Sequence, residues 1–193
     1  MSYIAVSRRT ARKQRESERS TRRLVVALCI AATVGWLISL LIAGAVRTEG
    51  TLHTVAGIIH ILGLVLSFGA ILLVDWQRFL WLLGRRDLSE TIRLDGAATP
   101  LIWGGVAVLL ASGSLLDPKL ASPMTDVKLA AVLVLILNGI MLIPLMRRLV
   151  KLPHQATFRD LTPGQRFHML ACLSLSQLCW WTAIVIGFIN GEF

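Results

Sequence analysis

Two histidines, His53 and His60, stand in an apolar stretch, residues 52–86, that ends in an aromatic and basic border. An ionisable side chain in hydrocarbon is costly, so each is a functional-site candidate by default. Seven residues of helix put both on nearly one face, about 10 Å apart along the axis, so they cannot share one metal ion directly. Gly57 between them would let a flat ligand or a neighbouring helix reach the backbone. Lys128 opens a later apolar run near the level of His53, and Arg47 closes an earlier one on the same side. These cations can receive the carboxylates of a porphyrin or another amphipathic anion while His60 meets its interior. A b-type haem with His60 on the iron is therefore one expectation. His168 enters from the opposite side, and that depth mismatch argues against a haem shared by His60 and His168. A plainer reading has Lys128 and Arg47 snorkelling to headgroups and His60 bonded to Ser39 or Thr182.

Other polar residues in apolar runs have structural readings. Asn138 and Gln177 fall near mid-depth of their runs, where side-chain amides join helices. Trp180 and Trp181 lie too deep for an interfacial belt and are expected to pack in the core or wall a pocket. Asp75 sits at a border where Arg78 or water can satisfy it. Cys29, Cys172 and Cys179 have no paired spacing and read as buried, reduced thiols. A soft-metal cluster of Cys29, Cys172, Met141 and Met169 is the remote alternative. No phosphate-binding loop, dinucleotide fingerprint, nucleophile elbow or H-E-x-x-H motif is present, which disfavours hydrolysis and phosphoryl transfer.

The elements that must position these residues are membrane spans. The chain has 193 residues, 55% of them hydrophobic, and a mean hydropathy of +0.69, which is too apolar for a soluble domain. Apolar runs predict an all-α bundle of five spans, at 24–46, 53–74, 97–116, 127–146 and 164–189. Thr51 is a candidate cap for the second, Thr125 or Asp126 for the fourth, and Thr162 with Pro163 for the fifth. Residues 75–81 read as an interfacial continuation with tryptophans at headgroup level. Ala111-Ser112-Gly113-Ser114 is small enough for close helix approach. The run 24–46 exceeds a signal-peptide core, so an uncleaved anchor is expected over cleavage after Ala45.

Net charge is +9, but the basic residues are confined: eight Lys and Arg in 1–23, four in 75–96, five in 147–166, and on the other side only Arg47, Lys128 and Lys119. That asymmetry places the N-terminus inside and Phe193 outside, in a bacterial-type inner membrane. The 1–23 tail, with Arg8, Arg12, Arg15, Arg19 and Arg22 at helical spacing, cannot bury a core. It is expected to lie beside anionic lipid, and nucleic acid is the less favoured partner.

His60, Gly69 and Arg78-Phe79, then Ile102-Trp103-Gly104-Gly105, then Val127-Lys128-Leu129, form a pattern over residues 53–143. It resembles the superfamily of small bacterial membrane proteins that includes the HemJ-type protoporphyrinogen oxidases and the CopD-type copper-resistance domains. The border here reads Asp75-Trp76-Gln77-Arg78, where tyrosine-x-proline-arginine is the family pattern, and a whole span precedes the histidine helix. The resemblance implies haem or porphyrin association at His60 and Lys128. A haem- or porphyrin-associated redox protein is thus the first functional expectation. A non-catalytic accessory or assembly subunit of a larger membrane complex, or a homo-oligomer, is the second. A small metal or solute transporter is the third, with little support from five spans that cannot form two equal repeats.

Overall fold

The computed structural model describes residues 2–118, 122–153 and 155–190, with the side chains of 2–11 and 14 outside that description. Lys119, the side chain of Arg8 and the C-terminal Phe193 therefore lie outside the described residues. The described chain is helical: α1 (Ser2–Ala45), α2 (Thr51–Leu82), α3 (Leu88–Gly113), α4 (Pro123–Leu149) and α5 (Pro163–Asn190), with a 3₁₀ turn at Phe158–Asp160 before α5. All five helices are long and apolar enough to cross a membrane. The protein is a multi-pass membrane protein of all-α class.

Short connections make consecutive helices antiparallel, so the bundle has two ends. The His60 end holds the close of α1, the start of α2, the close of α3, the start of α4 and the close of α5. The Arg78 end holds the others. Most large apolar side chains that face outward, Leu41, Leu62, Val65 and Leu178 among them, form the belt a bilayer would cover.

Pairing is dominated by two hairpins, α2 with α3 and α4 with α5, with α1 laid mainly on α4. Small residues let α2 and α3 touch. A Cβ on Gly105 would stand 2.5 Å from Ser67 Cβ and 3.0 Å from the Gly63 carbonyl oxygen. Only hydrogen fits there. Val25, Val106, Leu135, Ile136, Ile140, Cys179 and Trp180 form one buried core. A second closes the Arg78 end, where Trp81, Leu88, Leu149, Leu161 and Met169 pack beneath the 150–162 loop.

The structure moves several expected boundaries. α2 begins after Gly50, whose φ of 62° is the left-handed region that favours glycine, so Thr51 is the first helical residue and not the cap. α4 starts at Pro123 after Ser122, which leaves Thr125 and Asp126 inside its first turn, where an acid suits the helix dipole. α3 runs from Leu88 to Gly113, beginning earlier and ending sooner than 97–116. The Thr162 cap of α5 is present: its hydroxyl accepts the Gln165 N–H at 3.3 Å, and Gln165 Oε1 accepts the Thr162 N–H at 2.9 Å.

No break separates the basic tail from the first span, because α1 is one helix of 44 residues. Its Arg, Lys, Glu and Gln are good helix formers. Arg12 pairs with Glu16 at 2.8 Å one turn on, and Arg147 of α4 donates to Thr21 Oγ1 at 2.8 Å. Trp81 is likewise not an interfacial anchor. It is buried, donates its indole N–H to the Ala156 carbonyl at 2.9 Å, and meets the Phe158 ring edge-on at 5.9 Å. Trp76 is the exposed one.

Candidate functional site

All five helices contribute to one cavity at the His60 end, with a volume of about 120 Å³. α1 brings Ser39, α2 His60, α3 Gly113 and Ser114, α4 Lys128, and α5 Trp180, with leucine, valine, isoleucine and alanine between them. His60 and Lys128, singled out from different apolar runs, therefore line the same space. His53 and Arg47 do not: both are exposed at the rim and neither is part of the lining. His168 begins α5 at the opposite end.

The His60 ring is held by α3. Its Nδ1 lies 3.0 Å from Ser112 Oγ, and Ser112 in turn lies 2.6 Å from the Val108 carbonyl oxygen, to which it donates. A hydroxyl has one hydrogen, and this one is directed along its own helix. Ser112 is therefore placed to accept from His60 Nδ1–H. Gly113 makes the room: a Cβ there would stand 3.1 Å from His60 Cε1. Ser112 is a partner of His60 beyond the Ser39 and Thr182 expected for it. Ser39 instead donates to Trp36 O of its own helix at 2.7 Å, and Ser114 donates to Ala111 O at 2.7 Å. Trp36 crosses to α4, giving its indole N–H to the Leu129 carbonyl at 3.2 Å and fixing the wall next to Lys128.

Trp180 is buried and walls the cavity, whereas Trp181 turns outward. Phe68 of α2 joins them, its ring 5.5 Å from Trp180 and 5.3 Å from Trp181. Asn138 is the helix tie expected of it, donating to Cys172 O of α5 at 2.8 Å. Cys172 and Cys179 are buried and Cys29 partly so, all as thiols. Among the described residues no group of three His, Cys, Asp or Glu side chains could hold a metal ion.

A second polar cluster lies toward the other end. Arg78 is buried and bonds Asp75 at 3.2 Å and Asp95 of α3, and Gln177 of α5 donates to the second Asp75 oxygen at 2.7 Å. The Asp75 and Arg78 pair was visible in the sequence; Asp95 was not. The signal that finds it is hairpin register. About the turn centred near residue 86, Ser67 and Gly105 are both nineteen residues away, and His60 and Ser112 both twenty-six. Arg78 and Asp95 are eight and nine away, so an antiparallel hairpin brings each pair together. This cluster ties α2, α3 and α5. Removing one member of such a buried ion pair typically costs about 3–5 kcal/mol.

A haem can be tested against the cavity. The donors suit it: an imidazole whose Nδ1–H is fixed by a hydroxyl is the usual form of an iron ligand, and an ammonium can meet a propionate. The room does not. A cavity of about 150 Å³ takes up a single benzene ring, and this one is no larger. A macrocycle of four pyrroles enters only if the lining side chains move apart. Compared with known proteins, the chain matches no family model, no curated protein and no solved structure. Function must therefore be argued from the site itself.

Proposed function

We propose that this multi-pass membrane protein binds a small lipophilic ligand of one-ring size in the five-helix cavity, held by His60 and Lys128. The observation that carries this reading is the convergence of the two ionisable side chains, from α2 and α4, on one otherwise apolar space. Apolar walls with a few placed polar groups are the composition of small-molecule sites. A purely structural histidine would need its Ser112 bond but no cavity beside it. The basic residues gathered at the Arg78 end support an N-terminus inside and a cavity in the outer half of the cell's inner membrane, and α1 then carries its arginines into the anionic cytoplasmic surface.

The test fills the cavity. Ala183 lines it from α5, and Ala183→Leu removes much of its volume. Toluene titrated calorimetrically into the protein in nanodiscs, with empty nanodiscs subtracted, is expected to bind the wild type and not Ala183→Leu. Equal heats from both proteins would sink the reading.

A second reading, haem or porphyrin binding, is favoured by the same pair of donors, with His60 Nε2 toward iron and Lys128 toward a propionate. It requires the bundle to open around the macrocycle. A visible spectrum of the purified protein decides it: a Soret band abolished by His60→Ala supports haem, and a band that survives that substitution removes His60 as its ligand.

A further inference from the structure

α1 turns one side to α4 and another away from it. Val25 is buried, Thr21 accepts from Arg147 of α4 at 2.8 Å, Glu18 pairs with Arg148 at 3.8 Å, and Trp36 donates to Leu129 O at 3.2 Å. These four recur at helical spacing and mark the side packed on the bundle. Arg12, Arg15, Arg19 and Arg22 form a different stripe, three and four residues apart, and all four are exposed. The same stripe continues through Val26, Ile30, Leu37 and Leu41, which are exposed as well. One face of α1 is therefore aliphatic where the helix crosses the bilayer and arginine where it leaves it. The two acids of 12–23 are engaged elsewhere, Glu16 with Arg12 at 2.8 Å and Glu18 with Arg148, so neither is bonded to Arg19 or Arg22.

We infer that this face of α1 seats an anionic phospholipid, its acyl chain along Val26 and Ile30 and its phosphate held by Arg22 and Arg19. The heights fit. Leu24 is the first residue of the apolar run. At 1.5 Å per residue Arg22 stands about 3 Å beyond it and Arg19 about 7 Å, and the headgroup layer is about 5–7 Å thick on each side of the hydrocarbon. Arg15 and Arg12 stand about 13 and 18 Å out, past that layer and in salt solution that screens them from it. A guanidinium suits phosphate, which it meets with two parallel N–H bonds. The aliphatic face that continues the arginines favours a lipid over nucleic acid, and residues 12–23 hold no aromatic side chain on which bases could stack. The inference rests on the reading that α1 enters an anionic surface, and adds the face and the two residues that hold the lipid.

Native mass spectrometry of the full chain, released from mixed micelles of equal parts phosphatidylglycerol and phosphatidylcholine, reads the lipid retained. Wild type is expected to keep phosphatidylglycerol in preference. Arg19→Gln with Arg22→Gln is expected to lower the retained ratio about fivefold for each arginine removed. Arg12→Gln with Arg15→Gln makes the same charge change farther along the same stripe, and is expected to leave the ratio as in wild type. All four positions are exposed, so the fold tolerates both pairs. Equal losses from the two pairs would overturn the seat while leaving α1 in an anionic surface. No preference in wild type would overturn both. The preference is expected to survive excess glycerol 3-phosphate or a DNA duplex at physiological salt. Its loss to either would give the arginines to a soluble phosphate or to nucleic acid and overturn the lipid.

Discussion

Ser112 lies between His60 Nδ1 and Val108 O, at 3.0 and 2.6 Å, and it fixes the imidazole by having a single hydrogen already in use. Ser112→Ala removes the acceptor of a part-buried N–H. Leaving such a donor unmade costs about 1–3 kcal/mol, so denaturation in mixed micelles should show a loss of that size. A variant as stable as the wild type would show that the His60–Ser112 bond contributes nothing to the fold. His60 and Lys128 were legible in the sequence because an ionisable side chain in an apolar run stands out against its neighbours. Ser112 was not. A serine beside Ala111 and Gly113 reads as part of a small-residue stripe, and only the register of the α2–α3 hairpin tells that it is level with His60. His53 and Arg47 looked equivalent to the lining pair by spacing and side, yet both are exposed at the rim, His53 in the first turns of α2 and Arg47 past the end of α1.

The α2–α3 hairpin rests on close approach, and adjacent glycines of α3 separate that requirement from helix propensity. Gly105 faces Ser67 and the Gly63 carbonyl at distances no Cβ can occupy, whereas nothing lies within 4 Å of a Cβ built on Gly104. Gly105→Ala should therefore force α2 and α3 apart and cost about 1–3 kcal/mol, as overpacking does. Gly104→Ala should be neutral or stabilising, by up to about 1 kcal/mol of helix propensity. Similar melting temperatures for the two variants would contradict the tight crossing. The loop beneath the Arg78 end offers an electrostatic test. Asp160 accepts from the Thr157 backbone N–H at 2.7 Å and its hydroxyl at 2.9 Å, and these bonds lower its carboxyl below the usual range. A depressed carboxylate stabilises the loop fully above its ordinary value, near 3.9, and that contribution is lost as pH falls through the lowered one. Phe158 rests on Trp81, so acidification should alter Trp81 fluorescence in wild type. In Asp160→Asn the altered signal should already be present at neutral pH. An identical pH profile in both would remove Asp160 as the cause. Helix existence was legible from apolar length. The caps of α2 and α4 were not, because Gly50-Thr51 and Ser122-Pro123-Met124-Thr125-Asp126 each offer several residues able to start a helix, and the choice falls to tertiary packing.

At the scale of the whole molecule the basic residues are segregated by end, and the proposed orientation rests on that segregation. Arg12, Lys13, Arg15, Arg19, Arg22 and Arg23 of α1, Arg85 and Arg86 after α2, Arg147 and Arg148 in the last turn of α4, and Lys151 after it all belong to the Arg78 end. Among the described residues the His60 end has only Arg47 and Lys128. Basic segments near span ends are retained on the cytoplasmic side. The proposed orientation would put the His60 cavity in the half of the bilayer away from the cytoplasm, within reach of a lipophilic ring in the outer leaflet. Two exposed positions report the arrangement: Glu49, between α1 and α2, and Gln155, in the loop before α5. Glu49→Cys should react with a membrane-impermeant maleimide in intact cells or spheroplasts, and Gln155→Cys only after the membrane is opened. The native thiols lie within the spans, Cys172 and Cys179 buried and Cys29 partly so, and set the background. Labelling of Gln155→Cys from outside with protection of Glu49→Cys would invert the bundle and place the cavity beside the cytoplasm. A ligand would then have to reach the cavity from the cytoplasmic leaflet.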